Sequence, residues 1–192
     1  MERMFSRIEQ VRNDLAQFAA EYEPDTFDGA GAVRVMSELA IMQRLLDGLI
    51  ARTAKRVDDT HAHARTADRS GAALAARLIG TETSRMNAAV ATASALETLP
   101  GVDRALRAGK LSLREAELIT NAATINPGAE HELLSAAGQG LPKLKTACLH
   151  ARARAENPHE RRERLHAARS WHSYVGLPRV LWSRVIGFLC CS

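Results

Sequence analysis

The sequence predicts an all-α protein in which an N-terminal long helical hairpin precedes a bundle of shorter helices. Three observations support this prediction. Apolar residues recur at alternating spacings of four and three, alanine dominates the apolar residues, and no long run of alternating β-formers precedes residue 171. Alanine is the best helix former, whereas sheets need β-branched and aromatic residues, and aromatic residues are only 4% of this chain.

The long hairpin is expected over residues 1–57. Its first helix begins near Glu2 and ends before Pro24, which a helix interior does not tolerate. Its second helix begins near Asp28 and continues to Val57 or beyond.

Both hairpin helices carry an apolar stripe with a period near 3.5 residues. Such stripes usually face a core, and they also form the seams of coiled coils. The stripe of the second helix therefore has two interpretations, which are packing within the chain and a homodimer through the region around Val35 to Thr53. The stripes are Met4, Ile8, Val11, Leu15, Phe18 and Tyr22, followed by Val35, Leu39, Met42, Leu46, Leu49 and Thr53.

The stretch that starts at Ser70 predicts two helices joined by a tight turn. Ser70 can cap the first helix, and Gly80 can end it in the left-handed conformation that glycine adopts without strain. Thr81 or Thr83 can then cap the second helix.

This corner has the skeleton of a helix-turn-helix. Ala76 lets the helices cross closely, Gly80 makes the turn, and Met86 anchors the second helix. Many helical proteins contain such corners without binding DNA. If this one does bind DNA, the residues expected to face a major groove are Thr83, Ser84, Arg85 and Asn87.

The rest of the short-helix bundle, residues 70–155, is divided by proline and glycine. Pro100 and Pro142 are each placed to open a helix. Ser112 and Glu115 form an S-x-x-E capping box, in which each side chain satisfies a backbone donor at the helix start.

The C-terminal end of the chain is basic. The net charge of the chain is +4, and the segment from Lys143 onward contains ten Lys and Arg residues but only three acidic residues. A basic helix is expected over residues 158–170. The planar guanidinium donates two hydrogen bonds to one phosphate, so an anionic partner such as DNA is expected here. The arginines in question are Arg152, Arg154, Arg161, Arg162, Arg164 and Arg169.

Three segments in order carry a resemblance to one family. They read ARTADRSGAALAARLIGTETSRMNAAVATASALETLP, ALRAGKLSLREAELITNAA and LPKLKTACLHARARAENPHERRERLHAARS. Over roughly residues 30–170 the chain resembles the actinobacterial domain of unknown function 222 family, also called the thirteen-E-twelve repeat family.

In that family the helical region usually precedes an HNH nuclease domain, whose His and Asn residues bind a divalent metal that activates water. The sequence after residue 170, WHSYVGLPRVLWSRVIGFLCCS, departs from that pattern. The resemblance therefore implies the helical half of a DNA-associated protein, truncated before its catalytic half. Residues 171–192 are expected to be an atypical tail, disordered or produced by a frameshift.

Other chemistries find little support in the sequence. His61 and His63 lie near Asp58 and Asp59, but residues two apart on a helix point to different faces, so no metal site is expected. The sequence offers no catalytic residues and no cofactor motif. A signal peptide and a membrane span are not expected, and three cysteines without a CxxC pair favour a cytoplasmic protein.

These observations predict a non-catalytic, DNA-associated helical module. The alternatives are a protein-interaction or oligomerisation module that does not bind nucleic acid, and an inactive fragment related to HNH nucleases.

Overall fold

The computed structural model describes residues 2–155, which form eight α-helices and no strand. The all-α prediction is therefore confirmed for this part of the chain. The basic helix predicted over 158–170 and the tail predicted over 171–192 lie outside the described residues. The helices are α1 (Glu2–Glu21), α2 (Gly29–Asp59), α3 (Gly71–Ile79), α4 (Thr83–Ala95), α5 (Pro100–Arg107), α6 (Leu113–Ala123), α7 (Glu130–Ala137) and α8 (Leu141–Ala155).

The chain divides into two units after Arg152, and the packing described below is that of the first unit. Helix boundaries lie within a few residues of those predicted. The connector between α2 and α3, residues 60–70, holds a short 3-10 helix at Ala62–Thr66. That helix lies between two residues in the left-handed conformation, His61 (φ 52°) and Ala67 (φ 57°).

Three side chains begin helices by accepting hydrogen bonds from backbone N–H groups that lack a partner within the helix. The Asp28 carboxylate accepts from Gly31 N at 2.7 Å, and the Ser70 hydroxyl accepts from Ala73 N at 3.0 Å. The capping box predicted at Ser112 and Glu115 is confirmed, because both of its reciprocal bonds are present.

Two hydrophobic clusters hold helices α2 to α8 together. The first joins α2, α3 and α4 through small side chains, and Met86 is its largest member. The second joins α5 to α8 around fully buried larger residues. Those residues are Val102, Leu106, Ile119, Leu133 and Leu144.

Small residues let the helices of the first cluster approach closely. A Cβ added at Gly71 would collide with the carbonyl oxygen of Ala54, so α3 begins against the backbone of α2. The Asp58 carboxylate accepts a hydrogen bond from the Gly71 N–H at the same place. The end of α2 thereby satisfies a backbone donor at the start of α3.

Polar contacts join elements that are distant in sequence. Arg52 Nη2 lies 2.6 Å from Asp103 Oδ1 and connects α2 with α5. Glu130 Oε1 accepts from Gly101 N at 2.8 Å and from Val102 N at 3.0 Å, so a carboxylate of α7 caps the first turn of α5.

The buried face of α2 is not its apolar stripe. Gly48, Ala51 and Ala54 are the buried residues of this helix, whereas Leu46 and Leu49 remain 49% and 61% exposed. Helix α1 buries no residue at all. The structure therefore does not place the two stripes in a core within the described chain, and α2 meets α3 and α4 through small side chains on another face. The homodimer alternative stays a prediction.

Candidate functional site

The helix corner forms as predicted at its turn. Helix α3 ends at Gly80, which adopts the left-handed conformation (φ 77°). The N–H groups of Gly80 and Thr81 both donate to the Ala76 carbonyl oxygen at 2.9 Å. Glycine is suited to this position because an L side chain is strained at positive φ.

The start of the second helix differs from the prediction. Glu82, and neither Thr81 nor Thr83, is the N-cap residue of α4, and its side chain caps no backbone group. Thr81 still belongs to the turn that closes α3, and Thr83 is already the first helical residue. The Ser84 hydroxyl instead donates to Glu82 Oε2 at 3.2 Å.

All four residues predicted to face DNA are exposed on the first turns of α4. Met86 between them is only 5% exposed and anchors the helix to the first cluster, as predicted. The corner carries both signs of charge, since Glu82 stands one turn from Arg85. The exposed residues are Thr83, Ser84, Arg85 and Asn87.

The predicted phosphate-binding arginines are only partly described. Arg152 and Arg154 lie in the last turn of α8, a helix that packs in the second cluster, whereas α4 packs in the first. Arg152 is half-buried, and its Nε has no hydrogen-bond partner. The remaining predicted residues, Arg161, Arg162, Arg164 and Arg169, lie outside the described part of the chain.

The histidines of the connector lie near Asp58, whose carboxylate is already used at the start of α3. His63 Nδ1 lies 3.6 Å from Asp58 Oδ1, beyond hydrogen-bond distance, and that carboxylate already accepts from the start of α3. Among residues 2–155, no group of three or more His, Cys, Asp or Glu side chains could hold a metal ion.

An ion pair stabilises the same connector. Arg77 donates to both oxygens of Asp68, at 3.1 and 2.8 Å, and Thr66 donates to Asp68 at 2.7 Å. The Arg77 hydrogen bonds, followed by that of Thr66, lower the Asp68 pKa to about 2.

Helices α1 and α2 line an apolar groove of about 1130 Å³ that sequence analysis did not identify as a site. Its polar residues are few and carry both signs of charge, with Asp14 and Glu38 against Arg34. The two apolar stripes in the sequence are the signal for this groove, and the same stripes also predict a core or a dimer seam. Apolar side chains along it include Val11, Leu15 and Phe18 from α1 and Leu39, Met42 and Leu46 from α2.

Exposed apolar residues concentrate around this groove. Of the eighteen large hydrophobic residues that are exposed in the described chain, fourteen lie within the first 49 residues. The four others are scattered over α3, the residues after α6, and α8, where single exposed apolar residues are ordinary. The N-terminal part is thus chemically distinct from the rest of the described surface.

Within residues 2–155, no helix is long and apolar enough to cross a membrane. Comparisons with protein-family models, with curated proteins and with solved structures gave no match to this chain. The resemblance drawn from the three segments stays a prediction from sequence.

Proposed function

We propose that this chain is a non-catalytic association module that binds another polypeptide through α1 and residues 31–49 of α2. One observation carries the proposal: fourteen large apolar side chains in the first 49 residues remain exposed, and many of them line one groove. A cytoplasmic location, which the cysteine pattern favours, is part of the proposal.

The apolar groove is as large as the largest apolar patches of typical monomers. Eight of the fourteen exposed side chains line it, and at about half exposure they present on the order of 600 Å² of apolar surface. The largest apolar patch on a typical monomer is about 300–600 Å² and is often functional. Helix α1 also needs a partner, because helices in proteins gain most of their stability by packing an apolar face, and α1 buries no residue within the chain.

Dye binding tests this function on the full chain. Anilinonaphthalene sulfonate should bind the open groove at low protein concentration, and Leu46→Glu should abolish most of that fluorescence. Leu78→Glu is the matched control, because Leu78 is also exposed but lies on α3, away from the groove. A chain that neither binds the dye nor assembles with anything would overturn the proposal.

DNA association is the second candidate, and the exposed first turns of α4 favour it. Thr83, Ser84, Arg85 and Asn87 follow a left-handed glycine turn, as in helices that read base edges. The family resemblance and the basic C-terminal sequence support the same reading.

Fluorescence anisotropy with labelled duplex DNA over a salt series tests the second candidate. If about five arginines meet phosphates, the slope of log affinity against log salt should be roughly −4 to −5. Arg161→Ala combined with Arg162→Ala should weaken binding to every sequence and flatten that slope. Arg85→Ala should weaken binding to some sequences more than others, because base contacts specify and phosphate contacts position. Absence of binding at low salt would remove this candidate.

A further inference from the structure

The size of the apolar groove is close to what one protomer contributes to a stable dimer. A standard protein interface removes about 800 Å² from each partner. The eight exposed apolar side chains that line the groove present on the order of 600 Å². A partner that covered the groove and its charged residues would therefore bury about as much as a specific complex requires.

The shape and periodicity of the surface fit amphipathic helices. Helix α1 has 20 residues, and its apolar stripe repeats every 3.5 residues on average. The groove-lining residues of α2 run from Gly31 to Leu49 with the same average period. Both segments are about 30 Å long, and stripes with this period pack against each other in helical bundles.

The charged residues that line the groove carry both signs, since Asp14 and Glu38 are acidic and Arg34 is basic. In an interface around a twofold axis, every contact occurs twice. If one residue of the first copy contacts a second residue of the other copy, the same two residues also meet with the copies exchanged. An acidic residue and a basic residue on one groove can then each find the opposite charge on the other copy. A polyanion such as DNA would instead meet two carboxylates and an apolar floor.

We infer that a second copy of this chain occupies the groove, so that α1 and α2 of two protomers form a four-helix bundle around a twofold axis. This inference rests on the proposed association function and names its partner.

Sedimentation equilibrium of the full chain over a wide range of protein concentration tests the inference. The wild-type chain should be a dimer, and Leu46→Glu should weaken dimerisation by about 100-fold or more. Each dimer would then bury two uncompensated carboxylates in an apolar interface. Leu46 is 49% exposed within one chain, so the variant should keep its fold, which its helical circular dichroism would verify. Leu78→Glu should leave the dimer unchanged.

The outcomes separate this inference from the function on which it rests. A monomer that binds anilinonaphthalene sulfonate in its groove would overturn the second copy as occupant and leave association with another polypeptide in place. A monomer that binds no dye would overturn both. A dimer that Leu46→Glu does not weaken would place self-association on another surface and overturn the inference alone.

Discussion

The carbonyl oxygen of Ala54 occupies the space that a Cβ on Gly71 would need. Helix α3 therefore meets α2 with no side chain between the two backbones. The adjacent hydrogen bond from the Gly71 N–H to Asp58 can form because of this close approach.

Gly71→Ala should destabilise the protein by about 2 kcal/mol, because the added methyl group must push two helix backbones apart. Gly29→Ala is the matched control, since Gly29 is likewise the first residue of a helix and an added Cβ there meets nothing within 4 Å. The control should change stability by less than about 0.5 kcal/mol. Urea denaturation followed by circular dichroism measures both, and equal midpoints for the two variants would contradict this account of the contact.

Glu130→Ala should destabilise the protein by about 1–2 kcal/mol, because two backbone donors at the start of α5 lose their acceptor. Glu130→Gln keeps one side-chain oxygen in place and should cost less than about 1 kcal/mol. The comparison isolates the hydrogen bonds from the size of the side chain. If the alanine variant unfolds at the wild-type urea concentration, water satisfies these donors as well as the carboxylate does.

Asp68 should contribute stability that is constant above about pH 5 and is lost in strong acid. Its pKa in the folded protein is about 2, below the ordinary value of 3.8, so the folded state binds this proton less readily than the unfolded state. The contribution is present above the ordinary pKa and disappears as the pH falls through 3.8 towards 2.

A carboxyl titration followed by nuclear magnetic resonance should give this low pKa directly. Arg77→Ala should return the Asp68 pKa most of the way to its ordinary value, because the Arg77 hydrogen bonds are the largest cause of the shift. Thr66→Val should have a smaller effect in the same direction. A larger effect from Thr66→Val than from Arg77→Ala would reverse this order of causes.

Cys148 should react slowly with thiol reagents in the folded protein. Its side chain is 5% exposed, and burial raises the pKa of its thiol, although the charge of Arg152 acts in the opposite direction. The thiol also donates to the Leu118 carbonyl oxygen at 3.5 Å. In a variant that carries Cys190→Ser and Cys191→Ser, labelling should be slow in buffer and fast in denaturant. Equal rates in the two conditions would show that α8 does not protect this thiol.

Features set by neighbouring residues could be predicted from the sequence. The capping box at Ser112 and Glu115 and the glycine turn at Gly80 form within one helical turn, so their spacing contains most of the required information. The exposure of Arg85 and Asn87 beside the buried Met86 follows from helical period alone. These residues form the part of the candidate site that was predictable.

Features that depend on distant residues could not be predicted. The buried face of α2 consists of Gly48, Ala51 and Ala54, whose side chains add little to any apolar stripe. Leu46 and Leu49 belong to the stronger apolar pattern but remain exposed. Their exposure could not be predicted, because a periodic stripe does not reveal whether its partner lies in the same chain. The contact of Glu130 with Gly101 spans 29 residues and has no local signature.

Helix α2 is one unbroken rod of 31 residues, about 45 Å long. Its C-terminal part anchors α3 and α4, and residues 31–49 form one wall of the groove. A continuous helix has no hinge along its length, so a tilt imposed at one end is transmitted to the other. A partner bound in the groove would therefore fix the direction in which the helix corner points.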